Sequence, residues 1–214
     1  MIKIKDIELI GEGTVKYVYQ HPSESGRVIK IIKPELVNDE GRFAKHGALK
    51  GNLHQGVYRQ FRREIIQYLQ LCKQTYSNKT FLFPMETPYG FVHTDQGLGL
   101  VVEKIVAPCG RGRSLEDLAK SSGLELKHHR ALAAFFDECV RLHLVFGEVN
   151  YAGLMYTEER RGKPEFVLVD GIGEKLFIPM RSWFPSINAR YIHTVQRRIQ
   201  AQLEVLTTTA ARGN

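Results

Sequence analysis

The sequence predicts an α+β fold with two lobes, an N-terminal lobe built on an antiparallel sheet and a reduced helical C-terminal lobe. Apolar residues alternate with polar ones through the first third of the chain, which is typical of strands with one face on a core. The Pro/Gly-rich stretch 108–112 ends this pattern, and helical spacing of apolar residues follows it. We therefore place the lobes at residues 1–107 and 108–214, together forming one domain.

The elements of the N-terminal lobe follow from periodicity and turn residues. Three strands form a meander that ends at Pro34, and the polar stretch 35–55 is predicted to be a loop. Apolar residues at helical spacing between Val57 and Cys72, including Leu69, predict a helix. Two more strands follow the helix. The predicted strands cover residues 2–10, 15–20, 27–33, 91–94 and 98–106.

Helices dominate the predicted C-terminal lobe. Ser114 is a candidate N-cap with Asp117 at the third helical position, a pairing typical of helix starts. A second helix is predicted over 127–144 from its apolar stripe. A hairpin turn at 158–162 precedes a strand, a last helix follows it, and the final residues look like a frayed tail. The strand covers 165–169, the last helix covers 186–206 and the tail covers 207–214.

Composition limits the classes of protein that the chain can represent. Its 214 residues with 43% hydrophobic content can bury a core without disulfides. The cysteines Cys72, Cys109 and Cys139 are widely spaced, which predicts a reduced compartment and no structural zinc. No apolar run approaches the roughly 20 residues of a membrane-spanning helix, so we expect a cytoplasmic protein without a transmembrane segment.

The positive charge is concentrated in one part of the chain. The net charge is +7, and from Gly41 to Met85 there are eight Lys or Arg residues but a single acidic one, Glu64. This imbalance predicts a polyanionic partner, such as a nucleotide, an anionic small molecule or a sugar phosphate. Nucleic acid is a less favoured partner because no nucleic-acid-binding module accompanies the basic residues, and the arginines at 190, 197 and 198 are expected to be a solvated face.

Gly11 and Gly13 lie between two predicted strands. Dinucleotide-binding and Walker-type phosphate loops instead connect a strand to a helix. A glycine hairpin between two strands is the arrangement with which protein kinases cover phosphates. Two glycines can equally be ordinary turn residues, and Lys16 stands where that kinase loop has its third glycine.

Lys30 and Glu64 are predicted to pair. Strand alternation places Lys30 on the same face as Val28 and Ile32, and an ammonium group on an apolar face needs an anionic partner. Glu64 falls in the apolar stripe of the predicted helix, between Phe61 and Ile65. The alternative is that Lys30 lies on a sheet edge with its ammonium group in water.

The order of these features, completed by Asp170 and the two glycines that follow it, is that of a kinase. On these residues the chain resembles the PhoP-regulated YrbL type of bacterial kinase-like proteins, within the protein-kinase-like superfamily and near the lipopolysaccharide core heptose kinases. This resemblance implies a two-lobed protein-kinase-like fold with ATP and Mg²⁺ as cofactors. The stretches that carry it are 11–22, 28–33, 63–65, 169–174 and 178–179, with Trp183.

The resemblance also implies roles for individual residues. Lys30, held by Glu64, would position the nucleotide phosphates, and Asp170 would bind Mg²⁺. Gly11 and Gly13 would cover the phosphates. Val18 and Val28 would pack on the adenine, and backbone groups near Glu103 and Ile105 would hydrogen-bond to it. Taken alone, Asp170 would be interpreted as a turn residue at the end of a strand.

The catalytic loop departs from the kinase pattern H-x-D-x-x-x-x-N. Alignment back from Asp170 places Glu148 where the catalytic Asp is expected and Gly153 where the metal-binding Asn is expected. Glutamate can still act as a base, whereas glycine has no side chain to bind a metal. Asn150 is the candidate that would take over a ligand or acceptor role.

These observations favour an ATP-dependent phosphotransferase of divergent kinase-like type, acting on a small-molecule or sugar- or lipid-linked hydroxyl. The short segment after Asp170 lacks the A-P-E signature, which disfavours peptide substrates. Two alternatives stay open. One is a pseudokinase that binds nucleotide as a regulatory or structural ligand, and the other is a polyanion-binding protein with a vestigial cleft.

Overall fold

The computed structural model of the chain describes residues 1–44, 55–121, 123–147, 149–174 and 179–212, with side chains as far as residue 206. It divides into two compact units. The first comprises Met1–Tyr68 and Thr87–Lys104, and the second comprises Leu69–Glu86 and Ile105–Asn214. The predicted division into lobes after Ala107 stays a prediction.

A five-stranded antiparallel sheet forms the first unit. Its spatial order is β1-β2-β3-β5-β4, which confirms the predicted meander of the first three strands. The strands are β1 (Leu9–Glu12), β2 (Lys16–Gln20), β3 (Arg27–Ile32), β4 (Pro88–Thr94) and β5 (Gly97–Glu103).

Of the first predicted strand, residues 2–10, only Leu9 and Ile10 lie in β1, which continues to Glu12. Residues Ile4–Asp6 form a 3₁₀ turn instead, and Ile2 makes an isolated bridge to Thr94. The Asp95 side chain accepts a hydrogen bond of 2.8 Å from the Ile4 N–H, which satisfies this backbone donor outside a strand. The tertiary contact therefore overrides the local strand pattern.

Helix α1 (Arg59–Gln74) covers one face of the sheet. Phe61 is fully buried and belongs to a cluster with Val28, Ile32 and Leu100, while Ile29 and Ile31 point to a second cluster on the opposite face. Successive residues of β3 alternate between the two faces, as a strand requires. The sheet is therefore apolar on both sides, and the predicted face of β3 is confirmed.

The apolar stripe of α1 differs from the prediction at one position. Leu69 is 59% exposed, whereas Leu71 is fully buried. Gln67 and Glu64 are also buried, so the buried side of the helix carries polar residues that hydropathy alone assigns to solvent.

The second unit contains the remaining helices and a two-stranded hairpin. The described elements are α2 (Leu115–Ser121), α3 (Leu126–Arg141), β6 (Leu154–Thr157), β7 (Glu165–Leu168), α4 (Met180–Trp183) and α5 (Pro185–Arg212). Helix α3 packs against β7 and α5. The α+β fold class, with an antiparallel sheet followed by a mainly helical part, is confirmed.

Capping side chains define the starts of α2 and α3. Ser114 caps α2 as predicted: its hydroxyl accepts from the Asp117 N–H at 3.1 Å, and the Asp117 carboxylate accepts from the Ser114 N–H at 2.9 Å. At the N-terminus of α3, the Glu125 N–H donates to His128 Nδ1 at 2.9 Å.

The ends of two helices differ from the prediction. Helix α3 ends at Arg141, three residues early, and His143 then adopts a left-handed conformation with φ of 51° that an α-helix cannot continue. Helix α5 instead continues to Arg212, through the predicted frayed tail. Among the described helices, none is long and apolar enough to cross a bilayer.

Candidate functional site

The glycine hairpin connects β1 and β2. The Gly13 N–H donates to the Lys16 carbonyl at 2.9 Å, and Gly11 lies opposite Val18. Neither glycine adopts a positive φ. A Cβ atom would meet only ordinary contacts, at 3.6 Å from Val18 Cβ for Gly11 and 3.7 Å from the Lys16 carbonyl for Gly13. The hairpin backbone itself therefore does not require glycine at either position.

The Glu64 carboxylate binds Lys16 rather than Lys30. Lys16 Nζ lies 2.6 Å from Glu64 Oε1, and the two side chains are only 6% and 5% exposed. The predicted partnership of Lys30 with Glu64 is thus wrong. The strand register brings a second lysine to the predicted face. Lys16 is opposite Ile32 and Val18 is opposite Lys30, so both lysines lie on the face that α1 covers, and Lys16 is the one that contacts Glu64.

Lys30 itself lies where strand alternation predicts. It is 4% exposed in β3, between β2 and β5, which excludes the alternative of an edge position with the ammonium group in water. Val28 is buried and Val18 partly buried in the cluster under α1. Glu64 Oε2 is buried and has no hydrogen-bond partner among the described residues.

The end of β5 contains the predicted adenine contacts. Glu103 donates its N–H to the Thr87 carbonyl at 2.9 Å and accepts from the Thr87 N–H at 3.2 Å through its carboxylate. The carboxylate and the N–H of Glu103 are therefore both engaged in hydrogen bonds to Thr87. Ile105 is buried, and its N–H donates to no other residue that the structure describes.

Asp170, Gly153 and Asn150 come together in the second unit. Asn150 caps the 3₁₀ turn Tyr151–Gly153, and its Oδ1 accepts from the Gly153 N–H at 2.9 Å. A Cβ atom on Gly153 would lie 3.7 Å from Asp170 Cβ and 3.4 Å from Asn150 Oδ1. The residue at the position of the kinase Asn is therefore adjacent to Asp170, while the Asn150 oxygen is engaged as a cap.

Asp170 is exposed and follows β7 at a turn formed by two glycines. Gly171 and Gly173 have φ values of 77° and 84°, a region that favours glycine. The Gly171 carbonyl accepts from the Gly147 N–H at 2.7 Å, and the Gly173 N–H donates to the Val145 carbonyl at 2.9 Å. These glycines thus connect the Asp170 turn to the predicted catalytic loop.

Several sequence predictions lie wholly or partly outside the described residues, among them the loop 35–55, the stretch 178–179 and the tail 207–214. Glu148 is another, and the flanking residues Gly147 and Val149 are buried. The basic stretch 42–63 is described only at its two ends. Within the described ranges, no three His, Cys, Asp or Glu side chains form a group that could hold a metal ion by themselves.

Side chains from α4 and α5 hold the predicted catalytic loop, a feature that the sequence interpretation missed. Each donates to a backbone carbonyl of residues 144–149. The pairs are Arg181 to Phe146 at 3.0 Å, Asn188 to Leu144 at 3.0 Å, Arg198 to Val149 at 2.6 Å, and Tyr191 to Gly147. Arg198 is therefore not part of a purely solvated face. The one available signal was Asn188, a polar residue on the apolar side of α5.

Arg181 also forms a buried ion pair with Glu174. Its Nε lies 3.2 Å from Glu174 Oε2, its Nη2 contacts Oε1, and the two side chains are 8% and 9% exposed. The guanidinium carbon lies 4.2 Å from the centre of the Tyr191 ring. One arginine thus connects the segment after Asp170, the loop at Phe146 and helix α5.

Comparison with solved structures finds protein kinase domains. The Mycobacterium tuberculosis PknI kinase domain aligns with a TM-score of 0.41 and 17% identity, over 78% of this chain and 59% of that domain. A double mutant of that domain aligns with a TM-score of 0.42 and 16% identity, over 76% and 58%. This chain therefore spans less than two thirds of the domains it matches.

Comparison of the sequence with protein-family models identifies one family. Among curated proteins, none matches the chain. The model of the family described as PhoP regulatory network protein YrbL matches residues 2–204, nearly the whole sequence. The family suggested by the glycine hairpin, Glu64 and the Asp170 turn is thereby confirmed, and the chain belongs to the YrbL family of PhoP regulatory network proteins.

Proposed function

We propose that the chain is an ATP-dependent phosphotransferase of divergent kinase-like type that acts on a small-molecule or sugar- or lipid-linked hydroxyl. The observation that carries this proposal is the buried ion pair between Lys16 and Glu64, at the base of the glycine hairpin. Burying two charges is costly, so such a pair is often kept for a function rather than for stability.

The glycine hairpin and the buried lysines of the first unit offer groups that fit a nucleotide. Gly11 and Gly13 have no structural requirement for glycine, and a backbone without Cβ atoms allows a ligand to approach closely. Lys16 and Lys30 provide ammonium groups for phosphates. In the second unit, the Ile105 N–H donates to no described residue and fits an acceptor nitrogen of a purine base.

The second unit offers a carboxylate for a metal. Asp170 is exposed on a turn fixed by two glycines, and Mg²⁺ prefers oxygen ligands while keeping several waters. A bound Mg²⁺ would neutralise charge on the transferred phosphate. Asp170 would hold the ion, and the backbone contacts of Gly171 and Gly173 would keep the carboxylate in position.

The acceptor is proposed from the sequence. Glu148 occupies the position of the kinase base, where a carboxylate orients the acceptor hydroxyl and takes its proton. The carbonyls on either side of it, at Gly147 and Val149, are held by Tyr191 and Arg198. The excess of basic residues between Gly41 and Met85 favours an anionic acceptor.

The proposal is tested by measuring phosphate release or transfer from ATP with Mg²⁺ or Mn²⁺. We expect turnover by the wild-type chain and its loss in Asp170→Asn. Asp137→Asn, which alters an exposed carboxylate on α3, is the matched control and should keep full turnover. Equal turnover by wild type and Asp170→Asn would contradict the assigned role of Asp170.

A nucleotide-binding protein without catalysis is the second candidate. It is favoured by Gly153, which offers no side chain beside Asp170, and by the use of the Asn150 oxygen as a helix cap. In that case ATP would raise the melting temperature without turnover. Steeply salt-dependent binding of a polyanion with no effect of ATP would instead support the vestigial cleft.

A further inference from the structure

We infer that Lys16, on β2, is the lysine that Glu64 orients toward the nucleotide phosphates, and that it acts together with Lys30. The inference rests on the proposed function and deepens it. It changes the lysine assigned by the sequence pattern, in which Lys30 on β3 would pair with Glu64. The starting observation is the Lys16 Nζ to Glu64 Oε1 distance of 2.6 Å.

The position of Lys16 favours a ligand-directed role. Its backbone carbonyl accepts the Gly13 N–H that closes the hairpin, so the ammonium group and the glycine backbone belong to one small structure. A phosphate that approaches the Gly11 and Gly13 backbone would therefore lie close to the strand that carries Lys16. An oriented lysine loses less side-chain entropy on binding, because the ion pair already restricts its rotamers.

The state of Glu64 also favours this role. A buried carboxylate in a purely structural ion pair is expected to have both oxygens satisfied. Glu64 Oε2 is buried and accepts no hydrogen bond from any residue in the described ranges. One oxygen of the Glu64 carboxylate therefore lacks a hydrogen bond, as expected in a site whose polar groups rearrange when a ligand binds.

Lys30 is close enough to contact the same ligand. Lys16 and Lys30 are diagonal neighbours on paired strands, since Lys16 is opposite Ile32 and Lys30 is opposite Val18. Diagonal neighbours on one face have separations of about 7–8 Å, which two lysine side chains can bridge by converging on one polyphosphate. Both lysines are buried on the face that α1 covers.

The test compares the binding of ATP and of adenosine to purified full-length variants by calorimetry. Lys16→Met should weaken ATP binding roughly tenfold or more, as expected for a lost charge-assisted hydrogen bond, and leave adenosine binding unchanged. A purely structural role would weaken both ligands together. Lys120→Met is the matched control, because this lysine pairs with Glu116 on α2 in the second unit, and it should leave ATP binding unchanged.

A double-mutant cycle identifies the lysine that depends on Glu64. Glu64→Gln and Lys16→Met should be non-additive for ATP binding, whereas Glu64→Gln and Lys30→Met should be additive. If Lys16→Met proves unstable, Lys16→Arg keeps the charge but changes the donor geometry, and a phosphate-specific change of affinity is expected from it as well.

The outcomes separate this inference from the proposed function. ATP binding that Lys16→Met and Lys16→Arg leave unchanged would overturn the inference alone. The inference would also be overturned if only Lys30 were coupled to Glu64. A wild-type chain that binds neither ATP nor adenosine would refute the proposed function and the inference together.

Discussion

Removal of the Arg181 side chain should destabilise the second unit strongly. Arg181→Leu deletes the ion pair with Glu174, the hydrogen bond to the Phe146 carbonyl and the stacking on Tyr191. Breaking a buried ion pair by removing one partner costs about 3–5 kcal/mol, because the other charge stays buried. We expect a loss of this size in the free energy of unfolding, in which stacking contributes a minor part.

Urea denaturation measures this loss against a surface ion pair. Arg141 lies 3.5 Å from Glu138 and its side chain is 68% exposed, so Arg141→Leu should cost at most about 1 kcal/mol. The double variant Arg181→Leu with Glu174→Leu should recover part of the loss, since it removes the buried unpaired carboxylate. A cost below about 1 kcal/mol for Arg181→Leu alone would show that the pair does not hold the loop.

Three further predictions concern single positions. Gly153→Asn places an amide beside the Asp170 turn and should tighten Mn²⁺-dependent ATP binding by roughly tenfold. Gly153→Ala adds no metal ligand and should leave this binding unchanged. Titration of ATP binding with Mn²⁺ measures the difference. Gly13→Ala should weaken ATP binding while changing the free energy of unfolding by less than about 1 kcal/mol, and Gly26→Ala, with open space around it, should affect neither. Burial lowers the pKa of His128 below 6.5, so the stability that depends on its neutral ring is present above pH 6.5 and is lost as the pH falls through its folded-state pKa. His128→Gln should reduce this acid sensitivity in denaturation curves, and His129→Gln, at an exposed position, should retain it.

The sequence could predict which face of a strand a side chain occupies but not its partner across the sheet. Alternation placed Lys30 with Val28 and Ile32, and the structure confirms this face. The partner of Glu64 depends on the register between β2 and β3, which a single strand pattern does not contain. Lys16 lies in β2, within the predicted strand 15–20, but the sequence pattern compared it only with the third glycine of the kinase loop and gave it no partner.

The Asp170 turn was predictable for a local reason, and the support of the catalytic loop was not. Two glycines next to an acidic residue at a strand end predict a turn with positive φ, which Gly171 and Gly173 adopt. The side chains of Arg181, Asn188 and Arg198 instead act on backbone carbonyls distant in sequence. Spacing along the chain carries no signal for such contacts, because any polar residue on a helix could equally face water.

The hydrogen bonds that hold residues 144–149 have a consequence for the order of folding. They join residues that are 35 to 49 positions apart. Contacts of this sequence separation form late, because the intervening chain must first lose its freedom. During synthesis the loop emerges from the ribosome before α5 exists, so its final geometry has to wait until this helix is made and packed. A nascent chain that stalls before α5 should therefore expose a loop that has not yet acquired its shape.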